Sequence, residues 1–364
     1  MKRLLCIVGS MNMGGAETFL MKVYRTIDRT KYQMDFAVAV EKEGVYDHEI
    51  LSLGGMIHHI TPKSEGIWKN FSSIKNLVKR EKYNYVLRVS QHSLSALELF
   101  AAKIGGADVR AFRSSNSNAC AGKINSILHS IFMFMPRSFA NRYIAPSTEA
   151  AEFMFGRYFV KSSKVCILHN AVNHSLYAYS ELNRTKIRAE FGVSDSFVIG
   201  HIGRFNHQKN HIFLLKIFTE ILQNKPTAKL ILVGKGEKED ELKDLTQKMG
   251  IDNKVIFVSP RININEFYSA FDVLIFPSKF EGMPNVLIEA QAASLPCIAS
   301  DTITKEAEIT KYLTWLSLND TPTQWSVKAI EMSMVERIST LKDFIDAKYE
   351  VKNSAEEFCK LIFE

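Results

Sequence analysis

A chain of 364 residues, 46% hydrophobic and 23% charged, has a soluble globular composition and is too long for one ordinary core, so two domains are expected. Its net charge of +7 is uneven: residues 1–180 hold 23 Lys+Arg against 13 Asp+Glu, a net of +10, and residues 181–364 hold 23 against 26, a net of −3. No apolar run reaches the length of a membrane span, the start does not read as a signal peptide, and no basic stretch has the aromatic interleaving of a nucleic-acid surface.

In chain order, the first apolar run predicts a strand over 4–8, then a loop with Gly14 and Gly15, then a helix over 16–27. The glycine pair allows a tight turn and close backbone approach to a ligand. Strands over 34–40, 56–60 and 85–89 alternate with helices near 46–53 and 68–80, the pattern of a parallel doubly wound sheet. Next come Ser90-Gln91-His92-Ser93, a helix over 94–104, a strand over 109–112, and Arg113-Ser114-Ser115-Asn116. In open α/β sheets ligands gather at the carboxyl ends of strands, so both polar loops are expected at a site. Residues 124–135 read as a short apolar helix flanked by Lys123, Arg137 and Arg142, serving either as core or as an interfacial helix with its basic flanks on lipid headgroups. A strand over 143–145, a helix over 148–155 and an apolar run over 165–172 close a first domain of residues 1–172.

The second domain, 173–344, opens after a linker over about 173–190. A strand over 197–202 leads into Gly203-Arg204-Phe205-Asn206-His207-Gln208-Lys209-Asn210 and a helix over 211–222, the same strand, glycine loop and helix as at the start of the chain. Arg204 and Lys209 share that loop, a cationic clamp in waiting. A strand over 229–233 precedes Gly234-Lys235-Gly236-Glu237, and a strand over 254–258 ends at Ser259-Pro260-Arg261. A buried strand over 272–276 then ends at Pro277, before Ser278-Lys279-Phe280-Glu281-Gly282-Met283-Pro284-Asn285-Val286-Leu287-Ile288-Glu289. A helix starting at Pro284 would aim the amides of Met283 to Val286 at an anion, with the helix dipole behind them. Gly282 would let that anion approach. Glu281 and Glu289 frame the spot; a carboxylate beside a phosphate suits hydroxyls, which points to a nucleotide joined to a sugar. The segment 339–363 is amphipathic.

The spacing of Glu281 and Glu289 within FPSKFEGMPNVLIEAQAASLPCIASD resembles the E-x7-E signature of the retaining glycosyltransferases of family 4, which have the GT-B fold. GRFNHQKNH, the GGAET segment at Gly14 and Gly15, His169-Asn170-Ala171-Val172-Asn173 and Trp325 extend the likeness, nearest to the bacterial exopolysaccharide, capsule and O-antigen branch. The resemblance implies an α/β, GT-B architecture: two Rossmann-like domains facing across a cleft, with a terminal helix of about 345–364 packing back on the first. It implies transfer of a sugar, most often UDP-linked, to a hydroxyl of a glycan or polyprenyl-diphosphate-linked acceptor. Arg204, Lys209 and Gly203 would meet the donor diphosphate, Glu281 the sugar and Glu289 the ribose, Arg261 the base, and residues 282–286 the phosphates. Gly14, Gly15, Ser115 and Asn116 would form the acceptor-side loop. No DXD metal motif occurs, so neither metal nor cofactor is expected. Family members often place a histidine in the loop that here reads Arg113-Ser114-Ser115-Asn116; His92, one strand over, is the substitute. That departure leaves two further readings: a nucleotide-sugar-binding subunit supporting another transferase, and a sugar-nucleotide epimerase. The scattered cysteines suit buried thiols in a reducing compartment. The expected place is the cytoplasm, peripheral on the inner face of the plasma membrane, where the basic half would meet anionic lipid.

Overall fold

The computed structural model describes residues 1–12, 14–115, 129–162, 164–261 and 263–364. The chain forms two compact units, Met1–Ala171 with Val351–Glu364, and Val172–Glu350.

The first unit holds seven parallel strands: β1 (Lys2–Val8), β2 (Tyr32–Val38), β3 (Ile57–His59), β4 (Tyr85–Ser90), β5 (Val109–Ser114), β6 (Arg142–Ala145) and β7 (Val165–Ile167). Their order is β3-β2-β1-β4-β5-β6-β7. Period-two alternation sends Leu4, Cys6 and Val8 to one face and Leu5 and Ile7 to the other, and all five are buried because helices cover both faces. One face packs on Gly15–Thr26 and the terminal helix Val351–Phe363; Phe19 meets Phe358, and Phe363 stacks on Tyr32 at 4.5 Å. The other face packs on Ile67–Glu81, Leu97–Gly105 and Thr148–Phe155.

The second unit holds six: β8 (Val198–Ile202), β9 (Lys229–Val233), β10 (Val255–Val258), β11 (Val273–Phe276), β12 (Cys297–Ser300) and β13 (Leu313–Leu316). Their order, β10-β9-β8-β11-β12-β13, reverses between β8 and β11. The loops leaving those two strands therefore lie side by side.

Several expectations change. Asn116, Lys123 and residues 124–128 of the apolar segment lie outside the described residues. Beyond them the helix does not run unbroken to 135: it turns at Met133 and restarts as Phe134–Phe139. The Arg142 Nε donates to the carbonyl of Leu361 at 3.0 Å and ties down the terminal helix. The helix after His92 opens with a 3-10 turn, Ser93–Ala96. The amphipathic stretch 339–363 is two helices, Leu341–Asp346 and Val351–Phe363, parted near Lys348, whose φ is 61°. Between them Tyr349 O accepts from Val172 N at 2.9 Å, so the chain's departure from the first unit is paired with its return.

Candidate active site

In the second unit the loop after β8 and the loop after β11 are stitched together: Lys279 N donates to Gln208 O at 2.8 Å, and the side-chain Gln208 Nε2 donates to Phe280 O at 2.8 Å. That stitch brings Lys209 to Glu281. Lys209 Nζ lies 2.8 Å from Glu281 Oε1 and 4.4 Å from the centroid of the Phe276 ring, an ion pair on an aromatic floor. Gly203 leaves room there: a Cβ would crowd Lys209 Cε at 3.0 Å and His201 Nε2 at 3.3 Å. The Lys209 stem thus lies close across the Gly203 backbone.

Beneath Lys209 are two buried histidines. His201 Nδ1 donates to Ile275 O at 2.8 Å, and its ring meets that of His211 at 4.6 Å. Burial pushes the pKa of His201 well down and that of His211 down to about 4, each helped by the neighbouring positive charge. Both rings are therefore neutral at physiological pH, leaving Lys209 as the charge of the cluster.

Arg204, the other half of the expected clamp, has a side chain that is 70% exposed and pairs with Glu237 at 3.2 Å. Lys209, by contrast, is only 13% exposed. The glycines after β9 explain the loop's shape. A Cβ on Gly234 would strike Gly203 O at 2.0 Å, and one on Gly236 would strike Phe205 O at 2.3 Å. Arg261 pairs with Glu190 and lies over Phe267, so its guanidinium is already engaged.

The helix after β11 is Asn285–Ala292, with Pro284 at its N-cap in extended conformation rather than in its first turn. Its cap makes no side-chain hydrogen bond, which leaves first-turn amides for a ligand. Ser278 Oγ and Asn285 Oδ1 are sheltered without a hydrogen-bond partner among the described residues. Glu289, in the second turn, accepts from Tyr268 Oη at 2.8 Å, and Tyr268 is wholly buried. The carboxylate is thus anchored by a residue the sequence did not single out.

In the first unit Gly14 caps the helix Gly15–Thr26, and a Cβ there would strike the Glu17 carboxylate at 2.3 Å; at Gly15 a Cβ would meet nothing. Register pairs Ser90 with Ser114, so the loops bearing His92 and Ser115 leave adjacent strands, and Ser115 N donates to Ser90 O at 3.1 Å. Burial first, then neighbouring His129, lowers the pKa of His92. A network the sequence reading missed lies behind them: the Glu98 carboxylate, almost buried, takes both Arg88 and Lys63.

Comparison with known proteins follows the same division. The family model described as Glycosyltransferase Family 4 matches residues 13–176, and that described as Glycosyl transferases group 1 matches residues 183–325. The chain is 31% identical over 330 residues to the putative glycosyltransferase EpsF of Bacillus subtilis (strain 168), covering 89% of this chain and 86% of that one. It is 25% identical over 240 residues to the UDP-Gal:alpha-D-GlcNAc-diphosphoundecaprenol alpha-1,3-galactosyltransferase of Escherichia coli, covering 64% and 62%. The crystal structure of Anabaena Alr3699/HepE in complex with UDP superposes with a TM-score of 0.78 at 18% identity, covering 99% of both chains.

Proposed function

The chain belongs to the glycosyltransferases of family 4, and we propose that it moves a sugar from a UDP-sugar to a hydroxyl of a lipid-linked glycan acceptor during assembly of a bacterial surface polysaccharide. The observation that carries the reading is the Lys209–Glu281 pair at the strand-order reversal, flanked by Glu289 on Tyr268 and by the open first turn of Asn285–Ala292. A cation, a free helix N-terminus and two carboxylates are the complement of a diphosphate bearing two hydroxyl-rich rings.

In this proposal the bond from the sugar's anomeric carbon to the diphosphate breaks as the acceptor oxygen bonds to that carbon, with net retention. The hydroxyl proton passes to the leaving diphosphate. Lys209 and Arg204 stabilise the charge that grows there, a role for fixed cations that asks for no metal. Glu281 orients the sugar and Glu289 holds the ribose. The galactosyltransferase likeness supports both the UDP donor and the diphosphate-linked acceptor, and the UDP complex of the structural neighbour supports the base.

Such an acceptor lives in a membrane, and no helix among the described residues is long and apolar enough to cross one. Peripheral contact through the basic first unit fits the charge asymmetry. It also fits Ile67 and Trp68 at the head of Ile67–Glu81, which are 45% and 78% exposed. Trp68 begins an aromatic ladder through Phe71 and Phe100 to Phe139. The test is to incubate the protein with a panel of UDP-sugars and prenyl-diphosphate-linked glycans and to follow UDP release. UDP with an extended glycan supports transfer. UDP with the free 2-epimer means an epimerase, and binding without turnover means a supporting subunit.

A further inference from the structure

Arg113, at the end of β5, is 1% exposed. Its guanidinium carbon lies 3.6 Å from the centroid of the Phe19 ring, its Nη2 donates to Asn170 Oδ1 at 2.8 Å, and its Nε has no acceptor among the described residues. Burial alone drives its pKa down to about 9, which still leaves it charged at neutral pH. A buried cation is costly unless an anion answers it. The chain's other buried arginine, Arg188, has Asp272; Arg88, nearly buried, has Glu98. Arg337 lacks a carboxylate in contact but donates to the carbonyls of Tyr268 and Phe271 at a helix C-terminus, where the dipole is negative. No carboxylate pairs with Arg113 among the described residues, and the remaining ones, 13, 116–128, 163 and 262, include no Asp or Glu.

The surroundings add positive charge rather than remove it. Three strands' carboxyl ends meet here: Phe19 follows β1, Arg113 ends β5 and Asn170 follows β7. Lys63 and Arg88 share the single carboxylate of Glu98 on the same edge. Glu17 is half-buried, and desolvation raises its pKa against the pull of Arg88. With Asn170 Oδ1 committed to Arg113, the amide Nδ2 is left without a partner among the described residues, on a side chain that is partly exposed.

We propose that the missing counter-charge arrives with the ligand: the diphosphate of a diphosphate ester, which takes hydrogen bonds from Asn170 while Arg113 supplies the charge behind it. The inference rests on the glycosyltransferase reading and adds to it a residue pair that recognises the substrate's anion. Arg113 is a positioning residue here, acting through Asn170. A diphosphate could come from the lipid-linked acceptor or from the sugar nucleotide, so the test has an arm for each.

Asn170→Asp puts a carboxylate oxygen where the free amide was, within reach of Arg113. Wild type, Asn170→Asp, Arg113→Met and Arg113→Lys are compared for melting temperature without ligand and for affinity toward farnesyl diphosphate, farnesol and UDP. The expected result is that Asn170→Asp raises the melting temperature of the empty protein while weakening diphosphate binding roughly tenfold or more, the scale of losing a charge-assisted contact. Arg113→Met repeats the loss of binding, Arg113→Lys restores part of it, and farnesol is indifferent throughout. Loss confined to farnesyl diphosphate assigns the acceptor, and loss confined to UDP assigns the donor. If Asn170→Asp leaves both affinities unchanged, or lowers the melting temperature without touching them, the inference is overturned and Arg113 is a structural residue. A wild type that binds no sugar nucleotide and transfers no sugar overturns the functional reading instead.

Discussion

Lys209 and Glu281 hold one another at 2.8 Å, and only 13% and 11% of their side chains are exposed. In the empty protein, the cation expected to take the leaving diphosphate is therefore already answered by the carboxylate expected to grip the sugar. A donor must divide that pair, giving its phosphate to one partner and its hydroxyls to the other. The pair keeps both side chains in place until then, at an energetic cost that the donor's own contacts offset.

Lys209→Ala and Arg204→Ala should accordingly differ. Each should lose roughly 2–4 kcal/mol of transition-state stabilisation, the scale of one preorganised donor. Only Lys209→Ala leaves a sheltered carboxylate without its partner, so it should also lose about 2–3 kcal/mol of folding stability. Arg204 is largely exposed, and its loss should leave stability within about 0.5 kcal/mol. Urea titrations beside kcat/KM measurements check both. Equal stability in the two variants would mean that the ion pair contributes nothing to the fold.

Tyr268→Phe removes the hydroxyl that anchors Glu289 and little else, since the ring stays packed in the core. UDP affinity should fall by about 1.5–3 kcal/mol, the range for one hydrogen bond to a charged group, with folding little changed. Calorimetric titration with UDP measures it. An unchanged affinity would detach Glu289 from the ribose.

His211 gives the protein an acid-sensitive fold. Its folded pKa of about 4 lies below the ordinary 6.5, so the unfolded chain takes up a proton here before the folded one does. The neutral ring's contribution is fully present above pH 6.5 and is lost as pH falls toward 4. The loss is about 3 kcal/mol at most, and His201 adds to it in the same direction. Melting curves from pH 7 to 4 should show the decline, and His211→Gln should flatten it. A wild-type profile flat across that window would contradict the assignment.

Trp68 is a built-in reporter of lipid. Trp325 is wholly buried and Trp315 donates to Glu308, so Trp68 is the solvent-facing member of the three. Its emission should shift to the blue on anionic vesicles and return as salt rises, because surface charges are screened within roughly 10 Å. Trp68→Ser should weaken binding without changing UDP affinity. Emission indifferent to anionic vesicles at low salt would leave the basic half as a solubility feature.

A chelator should leave transfer unchanged, since Arg204, Lys209 and the helix N-terminus are assigned the neutralising role. Strict dependence on added Mn²⁺ or Mg²⁺ would overturn that assignment.

Strands were the legible part of this fold, because parallel strands covered on both faces are written as continuous apolar runs between turn residues; Leu4 to Val8 and Leu230 to Val233 could scarcely be anything else. The strand Leu313–Leu316 and the helix Pro322–Met332 went unread, although Thr321 and Gln324 spell a capping box. The site's charged residues were visible because they stand in loops after strands. Their partners were not. Tyr268, His201 and His211 lie within ordinary apolar elements, and nothing local says that Tyr268 reaches Glu289, 21 positions on, or that His201 meets His211. In the sequence Arg113 is one more residue of a loop lacking histidine. Its isolation from any acid is a fact of three dimensions that no spacing records.

The pairing of Val172 with Tyr349 has a consequence for how the protein is made. The second unit is an insertion, spliced into the first between Ala171 and Val351. On the ribosome it is complete before the first unit has received Phe358, Ile362 and Phe363, which fill one face of its sheet. The half with the sugar-nucleotide features can thus mature during synthesis, while the other exposes apolar sheet until Val351–Phe363 has been made. A chain cut short within Val351–Phe363 should therefore have one sound half and one that chaperones must hold.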